Sequence, residues 1–376
     1  MRRAYALPDR GHDTRYGLPM TDAPGRQRLD WRQFILPVVV LVLVFGWLLP
    51  NLIDYALVWD AMTSLPGRAA LLLLLVGMAW TFVESGIYTS LIPGLGVFPG
   101  WRAFMGGNTI AGFAPTPWDM LVRYGMYRGF GVDPSAGGAS IIVGGMFTLG
   151  IKYLAPAIVL VAVVLSGGAS STLTTIAVIY AGLLVVIVLV VSALVSRESW
   201  AAWAGRLLQR LSDWAFGLVK RSGKQDIEAG LVSFRTTVVT TLSSRWQQPA
   251  LYVVASHAVQ FLGMLYIFRQ LGIGPEVVST VELLGTYGLG IFMSMMPIVP
   301  GGLGAVEVTY VWVLARDDDA LADVVAAAAF THRVFFWVLP IIVGVWPLAG
   351  WLRAGGSLAG LGKGEATGDA GSSLGA

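Results

Sequence analysis

The chain has 376 residues, of which 56% are hydrophobic and only 12% are charged, and its net charge is +3. This composition leaves too little polar surface to cover a soluble globule, so it predicts an all-α integral membrane protein with several spans. The small positive charge favours basic loops at a membrane surface over nucleic-acid binding, and the absence of cysteine excludes disulfides and thiolate chemistry.

Residues 1–33 form an arginine-rich arm that precedes a first apolar run at 34–52. We expect the arm to be largely disordered and to lie on the cytoplasmic side of the plasma (inner) membrane, as the positive-inside rule predicts. The apolar run is long and no small-residue cleavage site clearly follows it. We therefore interpret it as an uncleaved first helix.

Residues 34–350 consist largely of apolar runs of about 20 residues, the length that a helix needs to cross the hydrocarbon core. The expected domain has about eight transmembrane or half-membrane helices. The predicted spans are 34–52, 69–92, 139–166, 172–196, 249–270 and 322–349, and segments interrupted by proline and glycine lie at 101–129 and 282–315.

The first interrupted segment combines the helix breakers Pro115 and Pro117 with the charged residues Asp119 and Arg123. A guanidinium group suits bidentate contact with a phosphate diester, so Arg123 is a candidate for binding a lipid headgroup. An ion pair with Asp119, four residues earlier, is the structural alternative. Both residues enter the predicted substrate site.

The segment 197–248 carries eight Lys and Arg residues, which places it with the N-terminal arm and the C-terminal tail in the cytoplasm. Its part from 198 to 219 has Trp and Leu at three- to four-residue steps with arginines between them. This pattern is typical of a helix in the headgroup layer, although an ordinary linker helix packed on the bundle fits equally well.

The second interrupted segment places Pro300, Gly301, Gly302 and Gly304 just before Glu307, inside a strongly apolar region. Broken backbone survives at membrane depth only where protein or a water-filled cavity satisfies its polar groups. The free N–H groups of this turn are candidates for binding an anion or a phosphate. Alternatively, Glu307 caps the turn.

Four further ionisable residues lie deep in the predicted spans, where an unpaired charge is expensive and therefore suggests function. They are Glu84, Lys152, His332 and Arg333. We expect Glu84 to pair with one of the cations, whereas Lys152 either binds substrate or extends towards the interface. His257 is interpreted as a buried histidine whose hydrogen bonds are satisfied.

The blocks 69–166 and 249–349 match at a spacing of about 185 residues, with Pro115 over Pro300. In the topology given by the basic loops they enter the membrane from opposite sides, which predicts an inverted repeat. Each interrupted segment is long enough for two legs of about 12–15 residues, too short to cross singly without tilt. Re-entrant hairpins and spans joined by a tight turn are both compatible with this.

The sequence contains no Gly-x-Ser-x-Gly elbow, no nucleotide-binding loop and no histidine pair with metal-ligand spacing. We therefore expect no enzyme activity, no catalytic residues, no metal and no cofactor. Residues 351–376 are rich in Gly, Ala and Ser and are expected to form a disordered tail. Nothing in the sequence indicates an oligomeric state.

The run from Val299 to Glu307, followed by a span that contains Arg333, resembles the signature of the lysylphosphatidylglycerol synthase transmembrane family. That family includes the flippase half of the multiple peptide resistance factor. The stretch from Asn108 through Pro115 to Arg123 resembles the family's earlier Asn, Pro and Arg segment, with Thr116, Pro117 and Trp118 in place of glycines.

The resemblance implies a flippase-like domain that moves an anionic or aminoacylated lipid between leaflets, without the synthase domain. A sugar linked to a polyprenyl phosphate is a rival substrate, because relatives are coupled to glycosyltransferases. The alternative function is a membrane partner that presents lipid to a separate glycosyltransferase or aminoacyltransferase. The expected partners are thus membrane lipids and a lipid-modifying enzyme, and not nucleic acid.

Overall fold

A computed structural model of the chain describes residues 55–114, 117–165, 171–197, 246–295, 300–315 and 318–356, with isolated positions between 199 and 239. Within these residues the structure is helical and contains no strand, so the predicted all-α class is confirmed. The N-terminal arm, the first predicted span, most of the 197–248 linker and residues 357–376 lie outside the described residues. The predictions made for them stay predictions.

Eleven α-helices are described in these residues, where about eight helices were predicted for the whole domain. They are α1 Tyr55–Ser64, α2 Gly67–Thr89, α3 Val97–Ala111, α4 Trp118–Gly129, α5 Pro134–Leu165, α6 Ser171–Ser196, α7 Gln247–Gln270, α8 Thr280–Met293, α9 Ala305–Leu314, α10 Asp319–Arg333 and α11 Leu339–Arg353. The described long helices follow the predicted apolar runs, but α1 has no predicted counterpart and the run 322–349 is divided between α10 and α11. The last helix continues to Arg353 before the residues expected to form a tail.

Four helical stretches in the described part of the chain are long and apolar enough to cross a membrane. Large apolar side chains on them are exposed, including Leu75 in α2 and Leu251 in α7, at 59% and 68%. Exposed leucines at this density suit lipid and not water, which indicates an integral membrane protein. The four stretches are Gly67–Thr89, Pro134–Ala157, Gln247–Gln270 and Asp319–Arg353.

Each interrupted segment forms two short helices that pack against each other, α3 on α4 and α8 on α9. Their lengths are 15, 12, 14 and 10 residues. At 1.5 Å per residue, each is about 15–23 Å long, shorter than the roughly 30 Å of a hydrocarbon core. The start of α8 is fixed by a capping box, in which Ser279 and Glu282 exchange hydrogen bonds with each other's backbone.

Helices of the two sequence blocks pack against each other. The first long helices of the two blocks, α2 and α7, are in contact, and the short helix α3 of the first block packs on α11 of the second. The short helix α8 likewise packs on α5 of the first block. Neither block therefore buries its short helices by itself.

The last long helical stretch changes its geometry in the middle. Between α10 and α11, residues Val334–Val338 form a π-helical turn, and Pro340 stands at the start of α11. Proline lacks the N–H that would continue the i to i−4 ladder, which accounts for an irregular turn at this place. The widened turn directs Phe336 and Trp337 towards the cavity described below.

We predict that Gly344→Ala destabilises the protein by about 1–3 kcal/mol, because overpacking a tight contact costs this much. A Cβ atom at Gly344 in α11 would collide with the carbonyl of Met105 and the hydroxyl of Thr109 in α3. The matched control is Gly150→Ala in α5, where a Cβ atom has no neighbour within 4 Å. Unfolding of the detergent-solubilised variants in SDS, followed by tryptophan fluorescence, measures the difference. Equal stability of the two variants would contradict the tight α3–α11 contact.

Candidate functional site

A glycine-rich turn joins α8 to α9 and contains the residues that the sequence analysis singled out. Gly301, Gly302 and Gly304 have φ angles of 64°, 66° and 84°, in the left-handed region that favours glycine. At Gly302 there is also no room for a side chain, because a Cβ atom would lie 2.7 Å from the carbonyl oxygen of Met293. The glycines are therefore required by the backbone path of the turn.

Glu307 and Arg333 hold this turn from two sides. Glu307 is 3% exposed, and its Oε2 accepts a hydrogen bond of 2.7 Å from the N–H of Gly304. Its Oε1 accepts a hydrogen bond from Nε of Arg333 in a buried ion pair. Glu307 therefore caps the turn, which is one of the two roles that the sequence analysis considered for it.

The guanidinium group of Arg333 also binds the backbone of the turn. Its Nη1 donates to the carbonyl oxygen of Gly301 at 2.8 Å, and its Nη2 donates to that of Gly302 at 3.3 Å. Three of the five N–H groups of the guanidinium are engaged in this way, which leaves two for a ligand. Arg333 thus connects the end of α10 to the start of α9.

A cavity of about 260 Å³ lies next to this turn. Its wall includes ionisable side chains from four helices of both sequence blocks, so the structure brings together four residues predicted for the substrate site. They are Glu84 of α2, Lys152 of α5, and His332 and Arg333 of α10; His257 of α7 joins them. The remaining wall is mixed, with aromatic residues and the polar side chains of Thr148 and Gln260.

Glu84 is held by a hydrogen-bond chain between α2 and α7. Its Oε2 accepts a hydrogen bond from the hydroxyl of Ser256 in α7, and this hydroxyl accepts one of 2.7 Å from Nε1 of Trp80. Trp80 lies four residues before Glu84, so both face α7 from the same side of α2. The described residues contain no direct ion pair between Glu84 and a cation.

Lys152 is the cation of the cavity whose charge is least compensated. Its ammonium group makes no hydrogen bond or ion pair with any residue that the structure describes, although Glu84 and Arg333 act on it electrostatically. The two histidines, by contrast, are engaged: Nδ1 of His257 lies 3.0 Å from the hydroxyl of Tyr287, and Nε2 of His332 lies 3.1 Å from the carbonyl of Gln260.

Arg123 and Asp119 lie on α4 and are not among the residues that line the cavity. The Arg123 guanidinium stands 4.0 Å from the ring centroid of Tyr88 and 5.3 Å from that of Phe104. No ion pair joins Asp119 to Arg123 within the described residues, and Oδ1 of Asp119 and Nε of Arg123 are buried without a hydrogen-bond partner.

Tyr88 connects Arg123 to the cavity wall. Its ring carries the guanidinium of Arg123 on one face, while its hydroxyl lies 3.3 Å from that of Thr148, which lines the cavity. Arg123, which the sequence predicted for the substrate site, therefore does not line the cavity and reaches its wall only through the contacts of Tyr88. Pro117 precedes α4, and Pro115 lies outside the described residues.

Sequence reasoning did not single out Trp80 and Gln260, which line the cavity, or Ser256, which binds the cavity residues Trp80 and Glu84. A signal for two of them was present. Ser256 and Gln260 are spaced four residues apart in the apolar run 249–270, so they share one polar face of a helix. Trp80 carries no such signal, because an indole in an apolar span is usually core or interface.

The described residues contain no group of three His, Asp or Glu side chains placed to hold a metal ion. A comparison of the chain with models of known protein families found no match, and a comparison with curated proteins found none either. The geometry of the cavity and the turn therefore carries the functional argument.

We predict that Arg333→Met lowers the free energy of unfolding by about 3–5 kcal/mol, because it leaves the buried carboxylate of Glu307 without a partner. Adding Glu307→Gln removes that charge, and the glutamine oxygen still accepts from Gly304. The double variant should therefore be more stable than Arg333→Met alone. Chemical unfolding of the four proteins in a double-mutant cycle measures the coupling. Additive losses would show that the pair does not hold the turn.

Proposed function

We propose that this chain translocates a lipid with an anionic, phosphate-containing headgroup between the leaflets of the plasma (inner) membrane. The observation that carries the proposal is the ammonium group of Lys152, which faces the cavity without a hydrogen-bond or ion-pair partner among the described residues. An unpaired charge at membrane depth is expensive, and a bound anion removes that cost. The two remaining N–H groups of Arg333 are available to the same anion.

The volume of the cavity favours a headgroup over a whole lipid. Pockets that enclose complete small ligands measure about 300–1,000 Å³, whereas this cavity measures about 260 Å³. It has room for a phosphate group and its immediate substituents, while acyl chains would stay in the surrounding bilayer. A site that shelters only the headgroup is what translocation of a lipid requires.

The packing supports the inverted repeat that the sequence analysis expected. The order long helix, two short helices, long helix occurs in both blocks, and α3 on α11 corresponds to α8 on α5. We propose that both short pairs are re-entrant hairpins whose turns face a shared midplane site, the arrangement of transporters in which broken helices form the binding site. The N- and C-termini would both be cytoplasmic.

The likeness of the run from Val299 to Glu307 to the lysylphosphatidylglycerol synthase transmembrane family also supports a lipid substrate. In this proposal Lys152 holds the phosphate, Arg333 positions the turn and contributes its free donors, and Glu307 keeps the turn closed. Arg123 and Asp119 lie outside the cavity, where Arg123 packs on the ring of Tyr88, and the headgroup reaches Arg123 only if Tyr88 moves. The chain has no catalytic role in this proposal.

We predict that phosphatidylglycerol stabilises the purified protein against thermal unfolding and that Lys152→Met loses most of this effect. A ligand at 100 times its dissociation constant adds about 2.7 kcal/mol to the folded state. The matched control is Arg68→Met, which removes an equal charge at an exposed position at the start of α2. If neutral diacylglycerol stabilises the protein equally, and Lys152→Met does not change this, the cavity binds lipids through apolar contacts alone and the proposal is wrong.

Translocation itself is tested in liposomes that contain only this protein and a fluorescent phosphatidylglycerol. We predict that the wild type accelerates transfer of the label between leaflets at least tenfold over protein-free liposomes, and that Lys152→Met does not. Quenching of the outer leaflet with dithionite measures the transfer. If the protein binds the lipid but does not accelerate transfer, the alternative of a partner that presents lipid to a separate enzyme is favoured.

A further inference from the structure

The charges around the cavity fall into two pairs of different kinds. Arg333 and Glu307 are joined directly and also bind the glycine-rich turn, so they compensate each other. Lys152 and Glu84 line the same cavity and act on each other electrostatically, but no hydrogen bond or ion pair joins them in the described part of the chain. The net charge that an entering anion meets therefore depends on whether Glu84 carries a proton.

The surroundings of Glu84 accept both of its protonation states. A hydroxyl group has one donor and two acceptor lone pairs. In Ser256 one lone pair receives the hydrogen bond from Trp80, and the hydroxyl proton is directed to Glu84. After protonation of Glu84, the second lone pair of Ser256 can accept a hydrogen bond from the carboxyl group. No helix has to move when the proton binds.

We propose that Glu84 binds a proton that is carried together with the anionic headgroup; this rests on the proposed function. When Glu84 is ionised, its charge compensates Lys152 and competes with the anion. When Glu84 is protonated, the positive charge of Lys152 is free for the headgroup. Proton and anion then strengthen each other's binding by the same factor, as linkage requires.

Other titratable or charged groups lie around Glu84. Arg123 of α4, Lys152 of α5 and Tyr287 of α8 interact with it electrostatically. His257 of α7 and His332 and Arg333 of α10 line the same cavity. The described residues of α3 and α11, which also pack on α2, add no charged group to the cavity wall. Histidine is the side chain that ordinarily changes its charge between pH 5 and 8, so the experiment must separate Glu84 from the two histidines.

The test measures binding of a short-chain, water-soluble phosphatidylglycerol to the detergent-solubilised protein by calorimetry at pH 5.5 and 7.5. Repeating each titration in two buffers with different ionisation enthalpies gives the number of protons taken up. For the wild type we expect binding about 5–150-fold tighter at pH 5.5, the usual range of coupling, with net proton uptake at pH 7.5. Glu84→Gln should bind tightly at both pH values without proton uptake.

The matched control is Glu276→Gln, which removes a carboxylate at an exposed position in the loop between α7 and α8 and should keep the proton uptake of the wild type. If Glu84→Gln does not fold, Ser256→Ala replaces it and should change the pH dependence by removing the partner of the carboxyl group. Unchanged pH dependence in the variant would overturn the proton role of Glu84. Absence of lipid binding by the wild type at both pH values would instead overturn the proposed function.

Discussion

The buried ion pair between Glu307 and Arg333 connects the parts of this structure on which the proposed function rests. It joins the last turn of α10 to the first turn of α9, and both partners also bind the backbone of the turn from Gly301 to Gly304. Broken backbone in an apolar region has no water to satisfy its N–H and C=O groups. The ion pair supplies these hydrogen bonds, and the glycines supply the left-handed conformations that the turn needs.

The cavity depends on that turn and on helices from both halves of the chain. Gly301 and Arg333 form part of its wall, and residues of α2, α5, α7, α8 and α9 line the rest. Because α8 packs on α5 and both line the cavity, a shift of α8 against α5 would reshape it. The close contact of Gly344 with α3 holds the other short pair against α11 of the opposite block.

The two arginines predicted for the substrate site, Arg123 and Arg333, occupy different environments. Arg333 has carboxylate and carbonyl partners and borders the cavity, whereas Arg123 lies against the rings of Tyr88 and Phe104. Aromatic faces attract a guanidinium but do not use its N–H donors in the plane of the group. The unpartnered Nε of Arg123 therefore keeps a capacity to bind an anion, while Lys152 presents its charge directly to the cavity.

The class of the protein and the extents of its helices follow from the sequence. The run 249–270 became α7, Gln247–Gln270, and the interrupted segment 282–315 became α8 and α9 around the predicted glycine turn. Apolar length, proline and glycine act locally, so each helix and each break can be predicted from its own residues. The sequence likewise marked Glu84, Lys152, His332 and Arg333 as deep ionisable residues.

The partners of these residues were decided only by the tertiary structure. Glu307 and Arg333 are 26 positions apart and Ser256 and Glu84 are 172 apart, so their hydrogen bonds exist only because particular helices pack together. The same holds for the contact between Arg123 and the ring of Tyr88, which are 35 positions apart. A charge in the sequence shows that a partner is needed at membrane depth, but the geometry of packing selects which group that partner is.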